Sequence, residues 1–154
     1  MNDLFDYLKI DTKEDVYTFC LYAFLSQSEE YQKVSASFWG FEDSEKYSSF
    51  RCSISLDIET ENGRTKITPD LILCNEKHIA IIESKMYSSE GWGQTKDYKD
   101  NIDRIKSQIG KIADCDLRNA NVKFYFFTLS GISASTEGFA SVRWADYYAE
   151  TLSK

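Results

Sequence analysis

The sequence has one proline and one histidine, and its longest uninterrupted apolar stretch, Phe19 to Leu25, is only seven residues long. Such a stretch is far too short to cross a bilayer, which requires about 20 residues. The first ten residues carry acids where a secretory signal has a basic leader. We therefore expect a cytoplasmic protein that makes no membrane contact.

Cysteine occurs four times, at positions that are 32, 22 and 41 residues apart. This spacing matches neither a disulfide framework nor a zinc-binding CxxC pair, and a single histidine offers little help to a zinc site. We expect reduced, mostly buried thiols at Cys20, Cys52, Cys74 and Cys115.

The chain also lacks an excess of positive charge, since its formal net charge is −7. Lysine and arginine supply most of the non-specific affinity for phosphates, so a protein that coats nucleic acid through a broad basic face is excluded. A nucleic-acid enzyme is not excluded. Acids that bind divalent cations lower the formal charge, and the bound metal reverses its sign locally.

The composition indicates one folded domain that spans residues 1–154. Hydrophobic residues make up 42% of the chain, with ten Phe, ten Tyr and three Trp. A chain of 154 residues is long enough to bury a core without disulfides or metal. No repeat, linker or low-complexity segment marks a domain boundary.

The first predicted element is a largely buried helix that begins at Asp11 or Thr12. Residues 28–49 remain unassigned, although the sequence SASFWGF within them fits a short strand or a loop over the core. The expected buried face of the helix contains Val16, Phe19, Cys20, Ala23 and Phe24, and Leu21 and Leu25 widen it.

The remaining pattern predicts a mixed α/β fold, a mixed central β-sheet flanked by helices in the order αβββαβ, with a further short strand and a terminal helix. Three strands are expected over residues 50–59, 66–74 and 78–87, the first two joined by an Asn-Gly turn. An amphipathic helix packs on the sheet through Gln94, Tyr98, Ile102, Ile105 and Ile109. A central strand over 121–130, a short strand and a helix that begins near Asp146 complete the chain.

Charged residues lie at the ends of two apolar segments between Thr68 and Lys85. If Glu76 and Lys77 form a two-residue turn, antiparallel pairing places Asp70 directly opposite Glu83. Lys85 then projects from the same face, because alternate residues of a strand share a face. Both faces of this hairpin are apolar elsewhere, so we expect both to be covered.

Two carboxylates opposed at about 5 Å between Cβ atoms repel each other. Lys85 offers one compensating charge, whereas a divalent cation between Asp70 and Glu83 offers two, and hard Mg²⁺ or Mn²⁺ prefers oxygen ligands. The alternative is a strand-end acid at Asp70 and a surface ion pair between Glu83 and Lys85. Pro69 favours a bend or bulge beside the acid, because proline removes a donor from the strand ladder.

The residues Pro69-Asp70 and Glu83-Ser84-Lys85, separated by an apolar strand, resemble the signature of the PD-(D/E)xK nuclease superfamily, which has a restriction-endonuclease-like fold. The sequence QTKDY, with Gln94 and Tyr98, is similar to the helix that follows this strand in many members. The acid Glu14 on the first helix, and the later segments FYFFTLSG and VRWADYYAETL, extend the resemblance from about Thr12 onward.

The resemblance implies phosphodiester hydrolysis that depends on Mg²⁺ or Mn²⁺, with water as the nucleophile. Asp70, Glu83 and Lys85 are then catalytic, and Lys85 orients or helps to deprotonate the water. The metal ligands implied are Asp70, Glu83, the backbone carbonyl of Ser84, and Glu14. Gln94 and Tyr98 are the supporting or substrate-contacting residues.

Several of these residues have a second reading. Glu14 lies three residues after Asp11, so it fits a helix capping box as well as a metal site. Gln94 and Tyr98 fit a packing role whether or not they contact substrate. Tyr87 and Trp92 could stack on bases, but packing is favoured. Mixed charges interrupt the basic strip of the long helix, which indicates a solvated face at Lys96, Lys99, Arg104 and Lys106.

The function that these observations predict is a metal-dependent nuclease, with DNA rather than RNA as the substrate. The alternative is a catalytically silent nuclease-fold protein that acts as a binding or regulatory subunit, in which the acids persist without turnover. A third hypothesis is an enzyme that cleaves RNA or small cyclic nucleotides. A homodimer or larger complex is compatible with each, because two cuts in a duplex are often made by dimers.

Overall fold

The computed structural model describes residues 14–41, 46–51, 54–85, 94–131 and 137–152. Within these ranges the helices are α1 (Glu14–Gln27), α2 (Glu29–Trp39), α3 (Gln94–Asp100), α4 (Ile102–Ala113) and α5 (Trp144–Leu152). The strands are β1 (Ser48–Arg51), β2 (Leu56–Thr60), β3 (Gly63–Ile67), β4 (Leu71–Cys74), β5 (His78–Lys85), β6 (Asn121–Thr128) and β7 (Phe139–Arg143). The predicted mixed α/β class is confirmed.

Five strands form one mixed sheet in the order β1-β4-β5-β6-β7. The pairs β1–β4 and β4–β5 are antiparallel, whereas β5–β6 and β6–β7 are parallel. Strands β2 and β3 form a separate antiparallel hairpin. Helices α3 and α4 make the crossover from β5 to its parallel neighbour β6, as a parallel pair requires.

Apolar layers cover both faces of the five-stranded sheet, as expected from the two-sided hydrophobicity of β4 and β5. On one face, Leu71, Leu73, Ala80 and Ile82 pack with residues of α1, α2 and α5. On the other face, a second cluster joins the sheet to α3, α4 and the small hairpin, and it includes Ile72, Cys74, Ile79, Ile81, Tyr98, Ile105, Ile109, Leu56 and Ile58. The sheet is therefore the middle layer of three.

None of the helices in the described ranges combines the length and the apolar character that crossing a membrane requires.

The turn between β4 and β5 follows the prediction. Leu71 pairs with Ile82 and Cys74 with Ile79, which is the register that a two-residue turn at Glu76 and Lys77 sets. The side chain of Asn75 accepts hydrogen bonds from the backbone N–H groups of Lys77 and His78, at 3.0 and 2.9 Å. Asparagine thus stabilises the turn locally.

Two predicted strands are each divided in the structure, so the prediction of single strands over 50–59 and 66–74 was wrong. The first contributes β1 to the main sheet and β2 to the hairpin, and the second contributes β3 to the hairpin and β4 to the main sheet. Pro69, buried between β3 and β4, has no N–H to donate to a ladder, so it marks the second division. The predicted hairpin is confirmed, but its two turn residues are Glu61 and Asn62 rather than an Asn-Gly pair, because Gly63 is already paired with Thr60.

Helix α2 occupies much of the segment that the sequence left unassigned, and a strand or loop at SASFWGF was wrong. Ser28 caps the helix, since its hydroxyl accepts a 3.1 Å hydrogen bond from the N–H of Tyr31. Glu29 and Glu30 in the first turn also suit the helix dipole. Gly40 ends the helix in the left-handed conformation, with φ of 83°.

Helix α1 is confirmed, but its predicted start at Asp11 or Thr12 lies outside the described residues. Its predicted buried face is confirmed at Leu21 and Leu25 and was wrong at Phe19 and Phe24. Thr18, Leu21 and Leu25 are buried, whereas Phe19 and Phe24 are 51% and 52% exposed. The stretch is apolar on nearly every side, so periodicity alone did not identify the face that packs on the sheet.

The predicted long helix after β5 is two helices, α3 and α4, separated at Asn101. The amide of Asn101 accepts a 2.8 Å hydrogen bond from the N–H of Glu59 and donates a 2.9 Å bond to its carbonyl. Gln108 makes the same pair of bonds with Asp57, both at 2.8 Å. These two amides occupy the edge of β2 that none of the described strands pairs with, so they fix the hairpin to α4.

Candidate functional site

Asp70 lies between Pro69 and the first residue of β4, and its carboxylate reaches across to β5. The backbone N–H of Ser84 donates a 2.7 Å hydrogen bond to Oδ2 of Asp70. The β4–β5 ladder ends at Leu71 and Ile82, so no strand residue of β4 accepts the N–H of Ser84. The Asp70 side chain accepts it instead. A charge-assisted bond of this length holds the carboxylate in one place.

The same contact indicates where the Ser84 carbonyl points. In an antiparallel ladder, one residue directs its N–H and its C=O toward the same neighbouring strand. Because the N–H of Ser84 points to Asp70, its carbonyl faces that side as well, beyond the start of β4 at Leu71. The predicted carbonyl ligand is thus directed to the side of the sheet on which Asp70 lies.

Glu83 is 2% exposed, and each of its carboxylate oxygens has a partner. Lys85 Nζ lies 3.0 Å from Oε1, and the hydroxyl of Tyr98 donates a 3.2 Å hydrogen bond to Oε2. Tyr98 belongs to α3 and is fully buried. The predicted grouping of Glu83 and Lys85 on one face is confirmed, and Tyr98 is in direct contact with this group.

The burial of this ion pair is costly, because the desolvation of two charges offsets much of their attraction. The side chain of Lys85 is only 18% exposed and that of Glu83 only 3%. Ionisable groups held in such surroundings beside a specific charged partner are frequent at functional sites. The reading of Glu83 and Lys85 as an ordinary surface ion pair does not fit this degree of burial.

Other predicted site residues lie at or beyond the limits of the described chain. Glu14 is the first described residue of α1 and Gln94 the first of α3, and in both cases the side chain is outside the described residues. Tyr87 and Trp92 are outside them altogether. The choice between capping and metal binding for Glu14 therefore stays a prediction.

The chemistry of the donors fits the Mg²⁺ or Mn²⁺ that the resemblance implies. Asp70 and Glu83 present carboxylate oxygens, each able to accept more than one contact, beside a peptide carbonyl. In the described parts of the chain, His, Cys, Asp and Glu side chains form no group of three or more that could hold a metal ion. A metal site built from the described residues would therefore draw on two carboxylates and a carbonyl.

The basic strip considered from the sequence is a mixed-charge face, as favoured. Lys96 pairs with Asp100 at 2.5 Å and Arg104 with Glu59 at 2.9 Å. Lys99 donates a hydrogen bond to the backbone carbonyl of Glu137. These cations are engaged with the protein itself.

The end of β5 has neighbours that the sequence analysis did not single out. Lys85 is in register with Thr128 at the end of β6, and Thr128 with Arg143 at the end of β7. The sequence does contain a sign of this cluster, because Lys85, Thr128 and Arg143 are polar residues near the ends of predicted strands. The sequence alone did not show that these three strand ends are adjacent, because that depends on the strand order.

Comparison of the sequence with models of known protein families and with curated proteins found no match.

Proposed function

We propose that the protein is a metal-dependent nuclease that hydrolyses phosphodiester bonds, with DNA as the favoured substrate and with Asp70, Glu83 and Lys85 as its catalytic residues. The observation that supports the proposal is the contact of Asp70 with the backbone of Ser84, the residue between Glu83 and Lys85. Ser84 N–H fixes Asp70, while Lys85 and Tyr98 fix Glu83. The resemblance to PD-(D/E)xK nucleases gives the same residues the same tasks.

Asp70 and Glu83, with the carbonyl of Ser84, would hold the metal ion. Their positions are preorganised by the contacts above, so little reorganisation is needed when the ion binds. Once bound, Mg²⁺ or Mn²⁺ neutralises phosphate oxygens and lowers the pKa of a coordinated water. Tyr98 is a positioning residue in this scheme, because it acts through Glu83.

Lys85 is the cationic side chain that the protein contributes to the proposed catalytic site. Its ammonium group lies 3.0 Å from Glu83 Oε1 at the end of β5, where its positive charge can attract a phosphate oxygen and orient the attacking water. As negative charge grows on the phosphoryl oxygens, this cation stabilises the transition state. Its low exposure strengthens the interaction, because water screens it poorly.

A catalytic panel tests the proposal. The wild type is incubated with single- and double-stranded DNA and RNA in Mn²⁺, Mg²⁺ or EDTA, and products are resolved by denaturing electrophoresis. We expect cleavage of DNA that requires the metal and that Asp70→Asn and Lys85→Ala abolish. Cleavage of RNA alone would support the proposed hydrolysis of phosphodiester bonds but would show that RNA, not DNA, is the substrate.

Matched controls come from helix α3. Lys96 and Asp100 form an exposed ion pair with each other. Lys96→Ala and Asp100→Asn therefore repeat the two substitutions at a solvent-exposed pair. Both controls should cut at the wild-type rate. Folded wild-type protein that cuts no substrate in any metal would reject the enzyme and favour a binding or regulatory subunit.

A further inference from the structure

The three parallel strands bring a second cation to the level of Lys85. Lys85, Thr128 and Arg143 are in register on β5, β6 and β7. Residues in register on neighbouring parallel strands share a face, so Arg143 belongs to the face from which Lys85 projects. Neighbouring strands are about 4.8 Å apart, which separates the α carbons of Lys85 and Arg143 by roughly 10 Å.

Arg143 is held in a defined orientation. Its Nε lies 2.8 Å from Oδ2 of Asp146 and its Nη2 lies 2.8 Å from Oδ1, a bidentate pair. The aliphatic stem passes the backbone of Gly131, where a Cβ would lie 3.1 Å from Cδ of Arg143. The Gly131 N–H in turn donates a 2.8 Å hydrogen bond to the buried hydroxyl of Thr128.

This arrangement leaves the guanidinium able to bind a further anion. The contacts with Asp146 use two of its five N–H donors. The side chain is 55% exposed, so the remaining donors can reach a ligand in solvent. A planar guanidinium fixed on one side is well suited to donate two hydrogen bonds to a phosphate.

We propose that Arg143 binds a backbone phosphate of the nucleic acid that neighbours the scissile phosphate held near Lys85. The inference rests on the proposed nuclease function and adds to it a substrate-binding residue on β7. One strand of a B-form duplex advances about 3.4 Å per phosphate. Two long cationic side chains whose α carbons are about 10 Å apart can thus contact phosphates one to three nucleotides apart.

The competing explanation is structural. Asp146 lies in the first turn of α5, where an acid is favourable, and an ion pair three residues apart can serve only to support the helix start. A structural role predicts a loss of stability on substitution. It predicts no change in the dependence of substrate capture on salt, which reports the number of phosphates neutralised.

Arg118 provides the matched control. It also forms a bidentate pair with a nearby aspartate, with Nε 3.0 Å from Oδ1 of Asp116 and Nη2 2.6 Å from Oδ2. Arg118 precedes β6, whereas Arg143 lies level with the end of that strand. Arg118→Ala therefore removes the same charge and the same type of ion pair from the opposite end of the sheet.

The experiment measures kcat and KM with Mn²⁺ for the wild type, Arg143→Ala, Arg143→Lys and Arg118→Ala, using the substrate that the wild type cuts, between about 50 and 200 mM salt. For Arg143→Ala we expect KM to rise about tenfold with kcat nearly unchanged. The slope of log(kcat/KM) against log salt should become shallower by about 0.7 to 0.9. Arg143→Lys should keep the slope, and Arg118→Ala should match the wild type.

Unchanged KM and slope in Arg143→Ala, with an active wild type, would overturn this inference and leave the proposed function standing. The same changes in Arg118→Ala would also overturn it, since they would report net charge alone. If Arg143→Ala proves unstable, KM of Arg143→Lys decides, because lysine cannot donate two parallel hydrogen bonds to a phosphate. KM should then rise several-fold with the slope retained, and an unchanged KM would overturn the inference. An inactive wild type would reject the proposed function itself.

Discussion

The hydroxyl of Tyr98 on helix α3 donates a 3.2 Å hydrogen bond to Oε2 of Glu83 on strand β5. This bond joins the crossover helices to the strand that carries the candidate site. Removal of the hydroxyl in Tyr98→Phe should reduce the rate of DNA cleavage by about 10- to 100-fold, because Glu83 loses a group that orients it. Single-turnover cleavage with Mn²⁺ measures the effect.

The control for Tyr98→Phe is Tyr125→Phe. The Tyr125 hydroxyl is also largely buried and donates a 3.1 Å hydrogen bond to the carbonyl of Phe38, but on the opposite face of the sheet. Each substitution should cost about 1 kcal/mol of stability in urea unfolding. A similar loss of rate in both variants would show that the effect of Tyr98 is general destabilisation.

The buried ion pair between Lys85 and Glu83 should contribute to the free energy of unfolding when no metal is bound. Lys85→Met leaves a buried carboxylate without its cation, and we expect a loss of about 3 kcal/mol. The double variant Glu83→Gln/Lys85→Met should recover part of that loss, because no buried charge remains. Urea unfolding in EDTA gives the free energies for this double-mutant cycle. Additive losses would contradict the coupling.

The amide of Asn101 should be a main anchor of the hairpin formed by β2 and β3. Its bonds with the backbone of Glu59 are partly buried, whereas those of Gln108 with Asp57 are exposed. We expect Asn101→Ala to cost about 2 kcal/mol and Gln108→Ala less. Native-state hydrogen exchange checks the mechanism, since the N–H of Glu59 should lose its protection in Asn101→Ala. Retained protection would refute the anchor.

The thiol of Cys74 predicts how stability changes at alkaline pH. Burial raises the pKa of Cys74 from 9.0 to about 12, so the native state keeps a proton that the unfolded state releases. Between about pH 9 and 12 the unfolded state binds fewer protons, and stability falls as pH rises. Urea unfolding from pH 8 to 11 should show a shallower decline for Cys74→Ala. An equal decline in both proteins would contradict this assignment.

The burial of Cys74 also bears on its chemical reactivity. Iodoacetamide should modify Cys74 only after unfolding.

The β4–β5 hairpin and its charged residues could be predicted because strand periodicity and a two-residue turn determine the register locally. That register places Glu83 and Lys85 on one face, and their ion pair is observed, whereas the predicted pairing of Asp70 with Glu83 lies beyond the end of the ladder at Leu71 and Ile82. The bond from Ser84 N–H to Asp70 could not be predicted, because the register alone does not show that the ladder ends at Leu71 and leaves this N–H to a side chain. The contact of Tyr98 with Glu83 depends likewise on how α3 packs.

Other parts of the fold lacked a local signal. Helix α1 is apolar on most sides, so the sequence placed Phe19 and Phe24 in the buried face together with Leu21 and Leu25, whereas of these four only the two leucines are buried. Helix α2 had a signal in Ser28 followed by two acids, but its aromatic content resembled a strand. The thiols were expected to be mostly buried, yet of those described only Cys74 is buried and two are half-buried, Cys20 and Cys115.

The most direct test of the central proposal is single-turnover DNA cleavage by the wild type, Asp70→Asn, Lys85→Ala and the double variant, each with Mn²⁺ and with EDTA. If these residues and the metal act as one catalytic unit, each single substitution should reduce the rate by about 10³-fold or more, and the double variant should lose no more than the worse single variant. EDTA should reduce the wild type to the same residual rate. Cleavage that persists in EDTA, or a folded Lys85→Ala that cuts at the wild-type rate, would contradict the account.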